Sequence, residues 1–418
     1  MYFGVLGGFS SVFLLAKGYS NSEIGLILAI ANVVAVLIQP FLAELADRGR
    51  KSTIFIIMET ITCINLILST VMIFLGARSW LLTIAFMLCY SLMMANQPFI
   101  NAVNRRLEET GVKIAFGACR SVGSMTFAVI CFFLGSVVEK LGATALPIIG
   151  DAVLILIMVS ILYTYRTYRE AARAGGPEPR SAKQAGGAHD RADRDRGAQE
   201  AAHDRADRAS ATHAAAPTQE ITLREFIRDN RWFLIISLGT LAIFIANSIP
   251  NTYMAQLVTS IGGDSVDVGR IFAVLAITEV PTMVLFDRIY RRVSSVTMLI
   301  VAAIAFIVWL GACAAVSSVG GLYLAQVVHF FSFPLFLPAM VRFIDENMRE
   351  REAVKGQTLF TVTVTLGNML ASLIGGVILD FSGAHILMIT GTLAAAIGAA
   401  IIIVSLKGKT RWSNNTRF

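Results

Sequence analysis

Apolar runs of helix-spanning length follow one another along nearly the whole chain. Twelve can be marked, at about 2–16, 23–42, 53–75, 79–103, 115–138, 145–166, 232–258, 267–289, 295–317, 320–344, 355–379 and 384–406. Within each run the apolar residues are continuous and do not alternate, so the runs read as helices and not as strands with one wet face. A bilayer core about 30 Å thick takes roughly 20 such residues per crossing. Inside it every backbone polar group must be bonded within the protein, which leaves helices as the solution for runs of this kind. The expected fold is all-α and membrane-spanning. It has six helices in residues 1–166, a linker at 167–231, six more helices in 232–406 and a short tail at 407–418.

Composition agrees with this pattern. Of the 418 residues 56% are hydrophobic and only 15% are charged, with a mean hydropathy of +0.68. A soluble protein carries about 25% charged residues. The formal charge of +7 would raise a nucleic-acid partner, but its distribution follows another rule. With both termini cytoplasmic, the cytoplasmic connections hold Arg48, Arg50 and Lys51, then Arg105, Arg106 and Lys113, then Arg288, Arg291 and Arg292, then Arg342, Arg349, Arg351 and Lys355. The opposite side holds only Lys17, Arg78, Lys140 and Arg270. This is the positive-inside bias of a multi-pass protein of the cell (inner) membrane, and no nucleic acid is needed to explain it. No basic stretch precedes the first run, so no cleavable signal peptide is read. Cys63, Cys89, Cys119, Cys131 and Cys313 all fall inside apolar runs without metal-ligand spacing. They read as packing residues and not as a disulfide framework.

The linker contains Ala-His-Asp-Arg-Ala-Asp-Arg twice, at 188–194 and 202–208, amid Ala, Arg, Asp, Gly and Gln. Such a segment buries too little to offset its ordering entropy and is expected to be a disordered cytoplasmic tether. His189, His203 and His213 have no closing ligands, and no metal or other cofactor is expected.

The two halves repeat one another, and internal repeats bear directly on architecture. Ala46-Asp47-Arg48-Gly49-Arg50-Lys51 follows span 2, and Phe286-Asp287-Arg288 with Arg291-Arg292 follows span 8. Span 5 ends Leu134-Gly135-Ser136-Val137-Val138 and closes at Gly142. Span 11 ends Ile374-Gly375-Gly376-Val377-Ile378 and closes at Gly383. Parallel six-helix repeats about an axis normal to the membrane are a transporter architecture, with the solute site between the halves near the midplane.

The loop Asp47-Arg48-Gly49-Arg50-Lys51 resembles the signature of the major facilitator superfamily, with Ala43 where a glycine is usual. Nearly the whole chain outside the linker also resembles the lactose permease and related oligosaccharide–proton symporters. The residues that carry this are Gln39-Pro40, Phe116-Gly117-Ala118-Cys119-Arg120-Ser121-Val122-Gly123, Glu279, and His329 with Pro334 five positions on. The resemblance implies that Arg120 holds sugar hydroxyls, that Phe127 stacks on the sugar ring, and that Glu279 and His329 link sugar to proton. Other positions depart from it. Asn101, Ser332, Val308 and Val364 stand where that family carries charged residues, and Asn247 and Pro250 replace its span 7 aspartates. Most of that charged coupling network is therefore absent. The family's first helix also begins earlier than Met1. Span 1 covers about 15 residues, roughly 22 Å at 1.5 Å per residue. It reads either as truncated or as a short helix accommodated by local thinning.

Charged residues in mid-membrane cost about 2.5–3.5 kcal/mol to insert by translocon scales, so each invites a functional reading beside a structural one. Arg120 is a planar hydrogen-bond fork for a hydroxylated or anionic solute, or half of an ion pair with Glu279 or Glu59. Glu279 reads as a titrating carboxylate, and His329 as a proton shuttle or a histidine satisfied by a neighbour. Glu59 reads as a partner for a loop arginine, and Asp151 as reaching for headgroups. Asn101, Asn247, Asn251 and Gln326 read as an amide lining of the cavity, with Tyr253 and Phe99 as further stacking surfaces. Asp47, Arg48, Arg50, Asp287 and Arg288 read as gating-loop residues that do not touch solute. Glycines at 123, 135, 367, 375 and 376 allow close helix approach. Pro40, Pro98, Pro250, Pro281, Pro334 and Pro338 lie inside spans, where proline kinks helices.

The expected activity is secondary transport of a small polar solute by alternating access, with a sugar or glycoside and proton symport first. A nucleoside or aromatic-acid carrier or an efflux antiporter comes next, and a membrane sensor stands outside transport. No nucleophile elbow, metal cluster or phosphate loop suggests an enzyme. The expected partners are solute, proton and lipid, with the chain monomeric.

Overall fold

The computed structural model describes residues 1–49, 52–108, 116–174 and 223–415, without the side chains of 47, 101, 104–106, 108, 116–121, 173–174, 223–224, 287, 350–351 and 408–415. A π-helical turn, Phe3–Gly8, leads into α1 (Ser10–Ala16). Then come α2 (Asn21–Arg48), α3 (Thr53–Phe74), α4 (Trp80–Glu108), α5 (Phe116–Leu141) and α6 (Ala145–Ala174). Beyond the linker lie the short α7 (Leu223–Asp229), then α8 (Arg231–Ser260), α9 (Ser265–Tyr290) and α10 (Ser295–Ala315). Next are α11 (Val319–Val328), a 3-10 turn (His329–Phe331), α12 (Phe333–Asn347) and α13 (Glu350–Asn415).

Ten of the described helical stretches are long and apolar enough to cross a membrane. One of them, Glu352–Lys407, is two spans. Gly383 breaks it at φ +78°. Before the break Gly367 packs on Phe244 and Gly375 on Tyr253, and after it Gly391 packs on Ile249 and Gly398 on Gly239. The first part therefore runs parallel to α8 and the second antiparallel. With the shorter segment at residues 3–16, the twelve expected spans are present. The protein is an all-helical, multi-pass membrane protein. Leu37, Phe74, Phe381 and Val404 are exposed on it, as befits a surface solvated by lipid.

Local chemistry fixes several boundaries. Ser20 caps α2 in a reciprocal box with Glu23, and Ser294 and Ser318 cap α10 and α11 through Thr297 N and Gly321 N. Each satisfies a backbone N–H that the first helical turn leaves without a partner. Span 5 stops at Gly142, φ +80°, the counterpart of Gly383. The linker is shorter than its composition suggests. α6 continues to Ala174 because Tyr165 and Tyr168 pack on Phe55. α7 forms because Phe226 is buried. The two seven-residue repeats and His189, His203 and His213 lie outside the described residues.

The halves meet along two seams, α2 with α13 and α5 with α9. A Cβ on Gly25 would overlap the Ser372 carbonyl, and one on Gly376 would overlap that of Asn21. On the other seam Gly269 meets Cys131 O and Gly135, and Ala128 packs with Ala273 and Ala276. All of these contacts lie in the half of each helix remote from Arg48 and Arg288. Toward the arginine-bearing end the same helices diverge. Gly123 has no neighbour within 4 Å of its Cβ position, and Val122, Val284 and Val354 are exposed. The molecule is closed at the far end and parted at the basic end.

Inside the second half α8 and the last span touch backbone to backbone. A Cβ on Gly239 would lie 2.9 Å from Gly398 O and 2.7 Å from an Ile402 methylene. Gly239→Val is expected to destabilise the protein by about 1–3 kcal/mol through overpacking, read as a lowered Tm in detergent. Gly123→Val, in open space, is expected to leave Tm unchanged.

Candidate functional site

The site begins with Pro334. Proline has no N–H and clashes with the carbonyl four residues back, so it interrupts a helix. Span 10 breaks into α11, the 3-10 turn and α12, and Ser332 leaves helical geometry at φ −93°, ψ −102°. The carbonyls freed by the break find new donors. Thr282 of α9 donates its hydroxyl to Phe330 O at 2.9 Å. Ser332 donates to His329 O through its N–H at 3.0 Å and its hydroxyl at 2.9 Å.

His329 is held on three sides. Its Nδ1 lies 3.0 Å from Ser332 Oγ. Its ring centre is 4.5 Å from that of Trp309 and 6.3 Å from that of Phe333, the latter stacked. Its Nε2 faces Glu279 Oε1 at 3.5 Å. The imidazole is buried, while the Glu279 side chain is 15% exposed. The Ser332 hydroxyl has one proton. When that proton goes to the His329 carbonyl, Ser332 accepts from Nδ1–H, and Nε2 is left facing the carboxylate. The 3.5 Å gap between Nε2 and the carboxylate is long for a hydrogen bond.

Gln326, expected in the cavity lining, is instead fully buried. Its Oε1 accepts from Trp309 Nε1 at 3.1 Å, and its Nε2 donates to Leu322 O at 3.3 Å and faces Cys313 Sγ at 3.7 Å. It holds the indole against His329. Trp309 and Thr282 are absent from the sequence reading. A mid-span indole, whose N–H needs a partner when buried, was the available signal for Trp309.

Phe127 lies half-buried where the halves begin to part, with ring centres of Phe3 at 6.1 Å and Phe272 at 6.5 Å. Asn247 is buried with its Oδ1 unpartnered, and Asn251 donates Nδ2 to Asn247 O at 2.8 Å. The side chains of Arg120 and Asn101 lie outside the described residues; their backbones belong to α5 and α4. Of the gating-loop residues, Arg48 is exposed and ion-paired with Glu44, and Arg288 is exposed. Arg50 and the side chains of Asp47 and Asp287 lie outside the described residues.

Three expectations are corrected. Tyr253 is buried and donates its hydroxyl to Ser372 O at 2.5 Å, both in the second half, so it offers no ring face. Phe99 is buried among Ile54, Met58 and Ile161. Asp151 points at α3, accepting from Thr70 at 2.9 Å, and its Oδ1 is buried. Glu59 has a buried Oε2, and the side chains of Arg50, Arg105 and Arg106, its expected partners, lie outside the described residues. No group of three or more His, Cys, Asp or Glu among the described residues could hold a metal ion.

Twelve helices in two halves, with a histidine facing a carboxylate at the break in one span, fit a membrane transporter of the major facilitator fold. The profile described as "MFS_1 like family" matches residues 1–390, and the chain belongs to that family. Solved structures that share the fold include two of the nucleoside transporter NupG. A point mutant of it superposes with a TM-score of 0.69 at 14% identity, over 97% of this chain and 96% of that one. The unmutated form gives 0.68 at 15% identity, over 97% and 95%. No curated protein matches the sequence.

Ser332→Ala removes the group that orients His329 and leaves Nδ1 buried without its partner, a cost of about 1–3 kcal/mol. Initial transport rates in proteoliposomes are expected to fall about five-fold or more, with Ser332→Thr restoring most of the loss. An unchanged rate in the alanine variant would separate Ser332 from the histidine's role.

Proposed function

We propose that the protein is a proton-coupled carrier of a sugar or small glycoside, working by alternating access between residues 1–166 and 232–406. The observation that carries the coupling is the Glu279–His329 pair, at 3.5 Å, with the carboxylate reaching solvent and the imidazole buried. A proton taken up while the far end is open is shared by Glu279 and His329, and Glu279, which reaches solvent, releases it at the parted end. Neutralising the pair lowers the cost of carrying it across hydrocarbon as the halves rock. Arg120 and Asn101, with Asn247 and Asn251, are the residues assigned to the solute's hydroxyls, and Phe127 to its ring. Gln326 acts through Trp309 and does not touch solute. The arginine-bearing end is cytoplasmic by the positive-inside bias, which makes this the inward-open state, with both termini in the cytoplasm of a cell-membrane protein.

A nucleoside is the second reading. The fold is shared with a nucleoside transporter, and Phe127 with Phe3 and Phe272 makes an aromatic wall suited to a flat base as well as to a sugar.

The test is solute-induced alkalinisation of weakly buffered cells expressing the protein, over mono- and disaccharides, glycosides and nucleosides. Arg120→Ala and Glu279→Gln run beside the parent. A sugar-dependent pH rise is expected, reduced about ten-fold or more in each variant by the loss of a charged hydrogen bond. Labelled sugar entering without a pH change would make the protein a uniporter. A response to nucleosides alone would establish the second reading.

A further inference from the structure

Two carboxylates away from the proton site lie across the far-end seams. Asp380 of α13 receives the first turn of α2. Its Oδ1 accepts from Asn21 N at 3.2 Å and from Asn21 Nδ2 at 2.9 Å, and its Oδ2 accepts from Ser22 N at 2.8 Å. On the other seam Glu139 of α5 accepts from Ser265 N, the first residue of α9, at 3.3 Å. Every one of these bonds joins one half of the molecule to the other.

The two arrangements repeat in sequence. Gly135 precedes Glu139 by four residues and Gly142 by seven; Gly376 precedes Asp380 by four and Gly383 by seven. The receiving helices open alike, as Asn21-Ser22-Glu23-Ile24-Gly25 and Ser265-Val266-Asp267-Val268-Gly269. In both, small residues bring the helices into backbone contact, and an acid one turn further reaches the neighbouring N-terminus.

The chemistry follows from the helix end. Its first four N–H groups have no partner within the helix, and the aligned peptides place about half a positive charge there. A carboxylate on those N–H groups makes charge-assisted hydrogen bonds. Because each acid belongs to the opposite half, its bonds exist only while the far end is closed. A contact present in one of two states favours that state.

We propose that Glu139 and Asp380 are paired latches, related by the internal repeat, that set the balance between the form closed at the far end and the form open there. Asp380, with three donors, is the stronger. Its seam is reinforced by Gln256 Nε2 of α8, which donates to Asn21 Oδ1 at 3.0 Å. The α5–α9 seam therefore yields first when the far end opens. Neither acid touches solute or carries the coupled proton.

The test uses cysteine reporters buried beneath each seam, Ala29→Cys, one turn beyond Gly25 on α2, under the first and Ala128→Cys under the second, each 2% exposed. Full-length protein in nanodiscs is labelled with a maleimide, and the rate of the parent with its native cysteines is subtracted. Asp380→Asn is expected to raise the Ala29→Cys rate about ten-fold, the equivalent of one charged hydrogen bond. Glu139→Gln is expected to raise the Ala128→Cys rate about three-fold by weakening a single long bond. Asn21→Pro removes two of the three donors and keeps the acid. Proline suits a first helical position, and Ser20 before it is already extended. This variant should reproduce most of the Asp380→Asn effect, and Ser265→Pro should reproduce that of Glu139→Gln. Rates within two-fold of the parent in monodisperse Asp380→Asn protein, or in Asn21→Pro if the former does not fold, would overturn the proposal. Acceleration by the amide variants without acceleration by the proline variants would overturn it too, because the acids would then act by some route other than the helix N-termini.

Discussion

In hydrocarbon a backbone N–H or C=O without a partner costs several kcal/mol, and this constraint shapes the whole molecule. Continuous helices meet it automatically along their lengths. It becomes a problem only where a helix starts, stops or breaks, and those are the places where this chain puts its polar chemistry. The break at Pro334 frees carbonyls that Thr282 and Ser332 take up, and that repair is what holds His329 toward Glu279. The starts of α2 and α9 expose N–H groups that Asp380 and Glu139 take up, and that repair ties the halves together.

The two repairs have different consequences because their partners lie differently. Thr282, Ser332, Trp309 and Gln326 all belong to the second half, so the histidine's surroundings travel with it as one body. The carboxylates at the seams reach across, so their bonds join one half to the other. Glycines set the distances in both cases. Gly239 against Gly398 fixes helices within one half, and Gly135 against Gly269 lets two halves touch without being fused. A carrier needs both kinds of contact, one that persists and one that is exchanged.

Apolar side chains show the same division. Phe306, Trp309, Phe336 and Phe343 are fully buried within the second half, where a close-packed core resists deformation. The α5–α9 seam instead packs alanines and glycines with Phe127 at its margin. Small residues give up little dispersion energy when parted, which keeps the exchange between states inexpensive while the cores stay intact.

The sequence by itself determined the number and places of the spans, because apolar length and continuity are local properties that lipid enforces directly. It also marked the helix ends at Gly142 and Gly383, the interruption at Pro334, and Glu279 and His329 as the ionisable residues of the later spans. What it left open were questions of partner. Gln326 and Tyr253 have the same polar atoms whether they face a solute or a neighbouring helix. Only the packing assigns the first to Trp309 and the second to the Ser372 carbonyl. Nothing in the sequence singles out Asp380 or Glu139; the fold sets each against a helix start more than a hundred residues away in the chain. Hydrophobic periodicity reports which residues leave water, but a hydrogen bond between helices depends on register and rotation, and those are decided only when the helices pack.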